Sequence, residues 1–198
     1  MKIDERDIIK ISDIGFVFKN FYTDSDSILE KFSSFQKQPY RIGKQIRVEA
    51  QNNIDIFNSI NSFFIKAFQF YCEENSLNYE DYIINNQEAL SVIIWEPGGS
   101  IGSHTDFYKN ENDQIIETDI SAIIYLTEDF EGADFVFEKE GAEKEKEEDT
   151  GPAGISIIPK KGDLLIFRSN APHHVNKLIS GRRITVTQAF IKKGKYEI

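Results

Sequence analysis

The chain has 198 residues, of which 40% are hydrophobic and 13% aromatic, and its formal net charge is −10. This composition predicts one folded globular domain over residues 1–198 and excludes a largely disordered chain. The acidic charge argues against nucleic acid as a partner. The single cysteine cannot form an internal disulfide, the chain begins without an apolar run, and no segment has membrane-spanning length. These features predict a soluble, cytoplasmic protein with no membrane partner.

The N-terminal part of the chain has two helical patterns. Residues 24–35 (DSDSILEKFSSF) begin with Asp and Ser cap candidates and continue with apolar residues at helical spacing. Residues 54–75 carry a longer apolar stripe, formed by Ile56, Ile60, Phe63, Phe64, Ala67, Phe68 and Tyr71. Such a stripe predicts an amphipathic helix with a buried aromatic face. We therefore expect a helical support over about residues 1–87.

The remainder, about residues 88–198, is patterned as short strands separated by turns. The β-branched and aromatic segments are residues 89–97, 119–128, 133–139, 154–167, 173–178 and 182–192. Closely spaced strands of this kind predict an antiparallel sandwich or barrel against which the helices pack. Residues 138–151 (EKEGAEKEKEEDTG) are dense in charge. They predict a solvated, mobile hairpin loop, with a lid over an active site as the alternative.

His104 and Asp106 are separated by one residue, so on an extended backbone both side chains lie on one face, roughly 7 Å apart at their β-carbons. An imidazole and a carboxylate on one face can share a divalent ion. A third ligand, completing a triad of two histidines and one carboxylate, can come only from His173 or His174. Adjacent residues of a strand point to opposite faces, so at most one of this pair faces the site. The alternative is that these histidines only pack or are exposed.

A second polar pattern lies in the last strand segment. Arg183, Thr185 and Thr187 fall on one face of this otherwise apolar segment, and the intervening residues fall on the other. A guanidinium fork beside a hydroxyl is suited to receive a carboxylate. If this face points outward, the same residues are only solvated.

Several motifs occur together in a particular order. They are WEPGGSIGSHTD (95–106), IIYLT (123–127), FEGADFVF (130–137), PKKGDLLIF (159–167), PHHV (172–175) and SGRRITV (180–186). In this order they resemble the Fe(II)/2-oxoglutarate-dependent dioxygenases, and within them the prolyl 4-hydroxylase-like branch. The resemblance covers roughly residues 88–192. It implies a mainly β fold, with a double-stranded β-helix (jelly-roll) core over about residues 88–198 and N-terminal supporting helices.

The resemblance also implies roles for particular residues. His104, Asp106 and His173 would be the catalytic metal ligands, and Arg183 and Tyr125 would bind the distal carboxylate of 2-oxoglutarate. Thr185 would be a further contact to the same cosubstrate. The implied cofactors and cosubstrates are Fe(II), 2-oxoglutarate and O2, with ascorbate as a candidate addition.

Three positions depart from the family pattern. Trp95 and Ile101 stand where tyrosines are common, so phenol contacts to the cosubstrate are expected to be lost there. Gly132 and Ala133 replace the usual pair of glycines. These departures surround the cosubstrate pocket and leave the triad unchanged.

The activity implied by the resemblance is hydroxylation of a C–H bond, with O2 consumed and succinate and CO2 released. The first choice of substrate is a prolyl residue in a peptide or protein, and the alternative is a free amino acid or other small metabolite. Nucleic-acid demethylation is disfavoured by the acidic chain and by the lack of a second downstream arginine in RRITVTQAF. Two other classes are a non-catalytic jelly-roll protein that binds a ligand, and a structural β domain with incidental histidines. The oligomeric state is left open.

Overall fold

A computed structural model describes residues 7–84, 89–109, 115–139 and 154–194. Within these ranges the chain forms two α-helices, Ser25–Ser33 (α1) and Ile54–Glu74 (α2). Both helices lie where the apolar spacing predicts them. No helix in these ranges has an apolar stretch long enough to cross a lipid bilayer. The charged segment predicted over residues 138–151 falls almost entirely outside the described residues.

A large antiparallel sheet forms one wall of the fold. In spatial order its strands are Ile8–Ile11 (β1), Gly15–Phe18 (β2), Leu164–Arg168 (β14), Ile120–Tyr125 (β10), Ile184–Lys192 (β17), Ala89–Trp95 (β6), Gly43–Glu49 (β4) and Gln38–Tyr40 (β3). Strand β5 (Tyr82–Ile84) also pairs with β17. The sheet therefore joins strands from both ends of the chain.

A smaller antiparallel sheet forms the opposite wall. Its strands in spatial order are Gly154–Ile157 (β13), Phe135–Glu138 (β12), His173–Val175 (β15) and Ile101–His104 (β7). Two further strand pairs are Phe107–Lys109 (β8) with Ile115–Glu117 (β9), and Phe130–Gly132 (β11) with Leu178–Gly181 (β16). The packed antiparallel sheets agree with the jelly-roll core that the resemblance implies.

The large sheet is buried on both faces, and each face packs against a different partner. One face packs against α1 and α2, where alternate residues such as Leu90, Val92 and Ile124 join the aromatic side of α2. On the other face, residues such as Trp95 and Tyr125 join a second apolar cluster that includes residues of the small sheet. Alternate residues of each strand point to opposite faces of the sheet. One set therefore packs against the helices, and the other set faces the space enclosed between the two sheets. The candidate site lies in that space.

The N-terminal part of the chain is less helical than the sequence analysis expects. Strands β1 to β5 all lie before residue 85, and four of them lie on the main path of the large sheet. In β4 the buried residues Ile46 and Val48 alternate with solvent-facing ones, which is a strand pattern that was overlooked. The gap that the sequence analysis leaves between the strand segments 173–178 and 182–192, where SG predicts a turn, is also wrong, because β16 continues to Gly181. That glycine pairs with Phe130 and has a positive φ of 80°.

Candidate active site

The small sheet places His104 and His173 side by side. His104 ends β7 and His173 begins β15, and the two residues are directly opposite each other in the antiparallel pairing. Residues at such positions project their side chains to the same face. The centroids of the two imidazole rings are 4.2 Å apart. Two histidines separated by almost seventy residues of sequence therefore face one point.

Asp106 completes the cluster from the loop that follows β7. Its Oδ1 atom lies 3.5 Å from Nε2 of His104 and 3.6 Å from Nε2 of His173. The backbone N–H of Asp106 donates to the carbonyl of Ser169, which fixes the loop against the neighbouring chain segment. One candidate ligand atom from each of the three residues lies within 4.8 Å of the others. The spacing of a single divalent ion site is thus present.

Backbone hydrogen bonds determine which histidine nitrogens face the centre of the cluster. Nδ1 of His104 lies 2.8 Å from the carbonyl oxygen of Gly102, and Nδ1 of His173 lies 2.8 Å from that of Ala171. A carbonyl oxygen only accepts, so Nδ1 carries the proton in both rings and donates it. In the neutral rings the lone pair is then on Nε2, directed toward the carboxylate of Asp106.

Two lone pairs and a carboxylate directed at one point repel one another unless a proton or a cation lies between them. The donor set of two imidazole nitrogens and one carboxylate oxygen is the one that non-haem Fe(II) oxygenases use. Their metal keeps coordination positions open for other ligands. The three residues therefore fit Fe(II) in both chemistry and geometry.

The closeness of these three side chains also shifts the pKa values of Asp106 and His104 when no metal is bound. Burial alone would raise the pKa of Asp106, but hydrogen bonds from His104 and His173 hold it well below its usual range. Burial alone would lower the pKa of His104, but its hydrogen bonds to the Asp106 carboxylate and the Gly102 carbonyl raise it above its ordinary value of 6.5. Without a metal, the carboxylate is therefore ionised and favours a proton on the neighbouring imidazole.

This balance predicts how metal binding depends on pH. A metal must displace any proton on His104, whose pKa is raised, so proton competition begins above pH 6.5. We expect the affinity for Mn(II) to fall by up to tenfold per pH unit below the pKa of His104. Calorimetric titrations in buffers of different ionisation enthalpy measure both the affinity and the protons released. An affinity that is constant between about pH 5.5 and 8, with no proton release, would contradict this picture.

The triad lies on the wall of a cavity of about 370 Å³ between the two sheets. The lining residues are Tyr40, Arg41, Ser91, Ile93, Trp95, Ile101, His104, Asp106, Phe107, Thr118, Ser121, Ala122, Ile123, Phe135, His173, Val175, Arg183, Thr185, Thr187, Gln188 and Ala189. Asp106 is the only carboxylate among them, whereas two arginines are present. The cavity is thus suited to an anionic guest rather than a cationic one.

Arg183 is the most unusual of the lining residues because its side chain is only 1% exposed. Its guanidinium stacks over the ring of Trp95, 4.2 Å from the centroid, and lies 5.1 Å from the centroid of Tyr125. In the part of the chain that the structure describes, no carboxylate forms an ion pair with it. Burial accordingly lowers the pKa of Arg183, and the neighbouring Tyr125 opposes that shift. A buried cation without an anionic partner is costly, which favours binding of an anion at this position.

Three buried polar atoms around this guanidinium also lack a hydrogen-bond partner among the described residues. They are Nε of Arg183, Nε1 of Trp95 and the hydroxyl oxygen of Tyr125. Buried polar groups are almost always paired in native proteins, so a cluster of unpaired ones indicates a ligand that supplies the acceptors. A carboxylate placed beside Arg183 would supply the acceptor that the guanidinium lacks. The residues present therefore fit 2-oxoglutarate, which needs a receptor for its distal carboxylate.

Thr185 and Tyr125 are positioned by the large sheet. They are paired across β17 and β10, and Thr185 lines the cavity beside Arg183, as strand parity predicts. Tyr125 contacts Arg183 but does not line the cavity wall. Burial raises the pKa of Tyr125, with Arg183 opposing the rise, so its hydroxyl is a neutral donor.

His174 points away from the triad, as expected for the residue next to His173. Its Nδ1 atom lies 3.1 Å from a carboxylate oxygen of Glu138, and Ser103 donates to the other oxygen of that carboxylate at 2.8 Å. His174 is also buried, at 3% exposure. His174 is therefore paired with Glu138 on the face of β15 opposite the triad.

The sequence analysis missed several lining residues from outside the recognised motifs. Tyr40 and Arg41 come from the end of β3 and the turn before β4, and Ser121 comes from β10. The alternation in β4 indicated a strand, but a single sequence does not show which strand lies beside β6. The position of Arg41 at the cavity follows from the pairing of β4 with β6.

Comparison with known proteins agrees with this fold and site. The model of the 2OG-Fe(II) oxygenase superfamily matches residues 90–191, which is more than half of the chain. The chain therefore belongs to the 2OG-Fe(II) oxygenase superfamily. The matched segment includes all six residues to which the sequence analysis assigned site roles.

Two curated relatives with similar sequences are named as hydroxylases. The chain is 32% identical to a "PKHD-type hydroxylase" of Colwellia psychrerythraea over 101 residues, 49% of this chain and 40% of the relative. It is 28% identical to "Probable prolyl 4-hydroxylase 8" of Arabidopsis thaliana over 177 residues, 80% of this chain and 58% of the relative. The chain thus spans about half the length of these curated relatives.

Among solved structures, the fold is similar to the viral collagen prolyl hydroxylase of Paramecium bursaria Chlorella virus-1 in its 2-oxoglutarate complex. The TM-score is 0.62 at 15% identity, covering 88% of this chain and 93% of the other. At this level of identity the likeness concerns the fold.

Proposed function

We propose that this chain is an Fe(II)- and 2-oxoglutarate-dependent hydroxylase that acts on prolyl residues of a peptide or protein. The observation that carries the proposal is that a His–Asp–His cluster and a buried, unpaired arginine line one cavity. 2-Oxoglutarate has a metal-chelating 2-oxo acid group at one end and a second carboxylate at the other. It therefore requires both features in the same cavity.

In this proposal Nε2 of His104, Nε2 of His173 and a carboxylate oxygen of Asp106 hold the iron. The bound metal supplies the chemistry by which 2-oxoglutarate, O2 and a substrate C–H become succinate, CO2 and a C–OH group. The protein holds the ligands in place through the carbonyls of Gly102 and Ala171, which orient both imidazoles. Ascorbate stays a candidate addition to the reaction.

The cosubstrate is positioned by the opposite wall of the cavity. Arg183 forms the ion pair with the distal carboxylate, and the Thr185 hydroxyl donates beside it. Tyr125, which does not line the cavity itself, packs against the guanidinium at 5.1 Å from its ring centroid and positions it for this ion pair. The sheets on both sides exclude water from this end, which strengthens the ion pair.

The choice of a prolyl substrate rests on the relatives and on the chemistry near the triad. Both curated relatives are named as hydroxylases, and one of them as a prolyl 4-hydroxylase. Tyr40, Ile101 and Phe107 line the cavity together with His104, and the ring of Phe107 is 53% exposed. An apolar pyrrolidine ring packs favourably on aromatic and aliphatic side chains of this kind.

The experiment is turnover of 2-oxoglutarate with Fe(II) and O2 in the presence of proline-containing peptides and free amino acids. Succinate is quantified, and each candidate substrate is examined by mass spectrometry for a gain of one oxygen atom. We expect oxidation of a prolyl peptide, with succinate formed in equal amount. Oxidation of a free amino acid alone would replace the prolyl substrate with the small-metabolite alternative.

The same assay separates an enzyme from a binding protein. A ligand-binding jelly roll would take up metal and 2-oxoglutarate but release no succinate, and a structural domain with incidental histidines would not bind Fe(II) or Mn(II) stoichiometrically. The cytoplasmic location and the absence of nucleic-acid and membrane partners stay predictions from the sequence.

A further inference from the structure

Trp95 is a buried residue whose polar atom the proposed function does not use. It is the last residue of β6, is 3% exposed, and lines the cavity. Its Nε1 atom is buried without a hydrogen-bond partner among the described residues. A buried indole N–H normally has a partner, so its acceptor is expected to come from a bound molecule.

The geometry around Trp95 indicates which molecule that is. The backbone N–H of Trp95 donates to the carbonyl of Arg183 at 2.8 Å, which holds the two residues side by side. The guanidinium stacks on the indole face, 4.2 Å from the centroid. Stacking occupies the face of the indole but leaves the N–H at its edge for a different group. An acceptor that reaches Arg183 is therefore close to the indole as well.

We propose that the indole N–H of Trp95 donates to the distal carboxylate of 2-oxoglutarate, together with Arg183. The inference rests on the proposed function, because it names a further residue of the same site. In this proposal the indole takes the place of the phenol contact that the sequence analysis expects to be lost at this position. An indole offers one donor and no acceptor, which suits a carboxylate.

Trp95 is the only tryptophan of the chain, so its fluorescence reports on this site alone. The experiment titrates the Mn(II)-loaded protein with 2-oxoglutarate and follows both tryptophan emission and heat. We expect a saturable emission change with the same midpoint as the calorimetric binding curve. 2-Oxopentanoate, which has a methyl group in place of the distal carboxylate, should not produce this change.

Variants separate a donor from a packing residue. We expect Trp95→Phe to weaken binding of 2-oxoglutarate by about tenfold with unchanged Mn(II) affinity, and Trp95→Tyr, which restores a donor, to recover most of the loss. Wild-type affinity in Trp95→Phe, or equal losses in both variants, would overturn the donor role. If the wild-type protein binds Mn(II) but no 2-oxoglutarate, the proposed function fails as well.

A second inference comes from a different observation, the charge of a second arginine on the cavity wall. Arg41 lines the cavity, lies 6.0 Å over the ring of Tyr40, and forms no ion pair with a carboxylate of the described residues. The three triad residues line the same cavity as Arg41. This arginine is exposed, in contrast to Arg183.

Charge balance distinguishes the two arginines. A divalent metal with Asp106, and Arg183 with a doubly charged 2-oxoglutarate, together leave the cavity neutral. Arg41 then adds a positive charge to the wall of the same cavity, with no ion pair among the described residues, in a protein whose net charge is −10. We propose that the substrate carries a carboxylate near the oxidised carbon, which Arg41 binds. Under the proposed function this is a prolyl peptide with an adjacent acidic residue.

The test measures binding to the Mn(II)- and 2-oxoglutarate-loaded protein, so that it does not depend on turnover. Its probes are matched peptides with Pro-Glu, Pro-Gln or Pro-Lys at the centre. We expect the Pro-Glu peptide to bind the wild type at least about tenfold more tightly than Pro-Gln, and Arg41→Glu to prefer Pro-Lys.

The matched control is Arg47→Glu, because Arg47 lies on the neighbouring strand and its Nε atom is 3.8 Å from Glu49. This variant should keep the wild-type preference. Equal affinity for the three peptides, or binding of none, would overturn the acidic-substrate inference. The function itself is tested separately, by succinate formation in the wild-type protein.

Discussion

His173→Ala is expected to abolish stoichiometric Mn(II) binding and the formation of succinate, whereas His174→Asn is expected to retain both. The two histidines are adjacent, but only His173 directs Nε2 to Asp106, at 3.6 Å, while His174 pairs with Glu138. Loss of a ligand should cost more than the roughly 10- to 100-fold that loss of an outer-shell partner costs. Asparagine at 174 keeps a donor near the position of Nδ1, so that the Glu138 carboxylate stays paired.

Calorimetry with Mn(II) measures the first effect and a succinate assay the second. Thermal unfolding of the metal-free proteins shows whether either variant is simply unfolded, since both side chains are almost fully buried. Wild-type metal affinity in His173→Ala would show that the ligand assignment is wrong. Loss of metal in a folded His174→Asn protein would assign the site to the other histidine.

Arg183→Gln is expected to weaken 2-oxoglutarate binding by about 2 to 5 kcal/mol, roughly 30- to 4000-fold, because it removes one partner of a buried ion pair. Its effect on Mn(II) affinity should be much smaller, because the guanidinium stacks on Trp95 and Tyr125 and makes no contact with the three candidate ligands. Glutamine fills part of the space and can still donate a hydrogen bond, which limits collapse of the cavity.

Calorimetric titration of Arg183→Gln with Mn(II), and then with 2-oxoglutarate, separates the two effects. Arg168→Gln is a suitable control, because Arg168 pairs with Asp13 at 3.4 Å and does not line the cavity. Equal losses of metal and 2-oxoglutarate affinity in Arg183→Gln would contradict the carboxylate role of Arg183. An unchanged 2-oxoglutarate affinity would do so as well.

The helices and the site motifs could be read from the sequence because their signals are local. The apolar stripe of α2 has helical spacing, and the one-residue separation of His104 and Asp106 puts them near each other on any extended backbone. Arg183 and Thr185 are two residues apart on a strand, and this spacing alone predicts that their side chains lie on the same face of the sheet. These inferences need no knowledge of which strands are neighbours.

The parts that could not be predicted depend on strand pairing. The register that sets His104 opposite His173 is a contact between distant segments, and so is the pairing that brings β4 and Arg41 beside β6. The environment of Trp95 could not be predicted either. The sequence shows that a phenol is missing, but only the structure shows that an unpaired indole N–H lies beside Arg183.

The central claim is that this cavity couples decarboxylation of 2-oxoglutarate to oxidation of a second molecule with O2. The most direct measurement combines the Fe(II)-loaded protein, 2-oxoglutarate and O2 labelled with the heavy oxygen isotope. The fourth reagent is the unmodified peptide that the turnover assay identifies as the substrate. We predict one labelled oxygen atom in succinate and another in the hydroxylated product, with no labelled succinate from Asp106→Ala. Succinate that carries no label from O2, or equal label with Asp106→Ala, would contradict the claim.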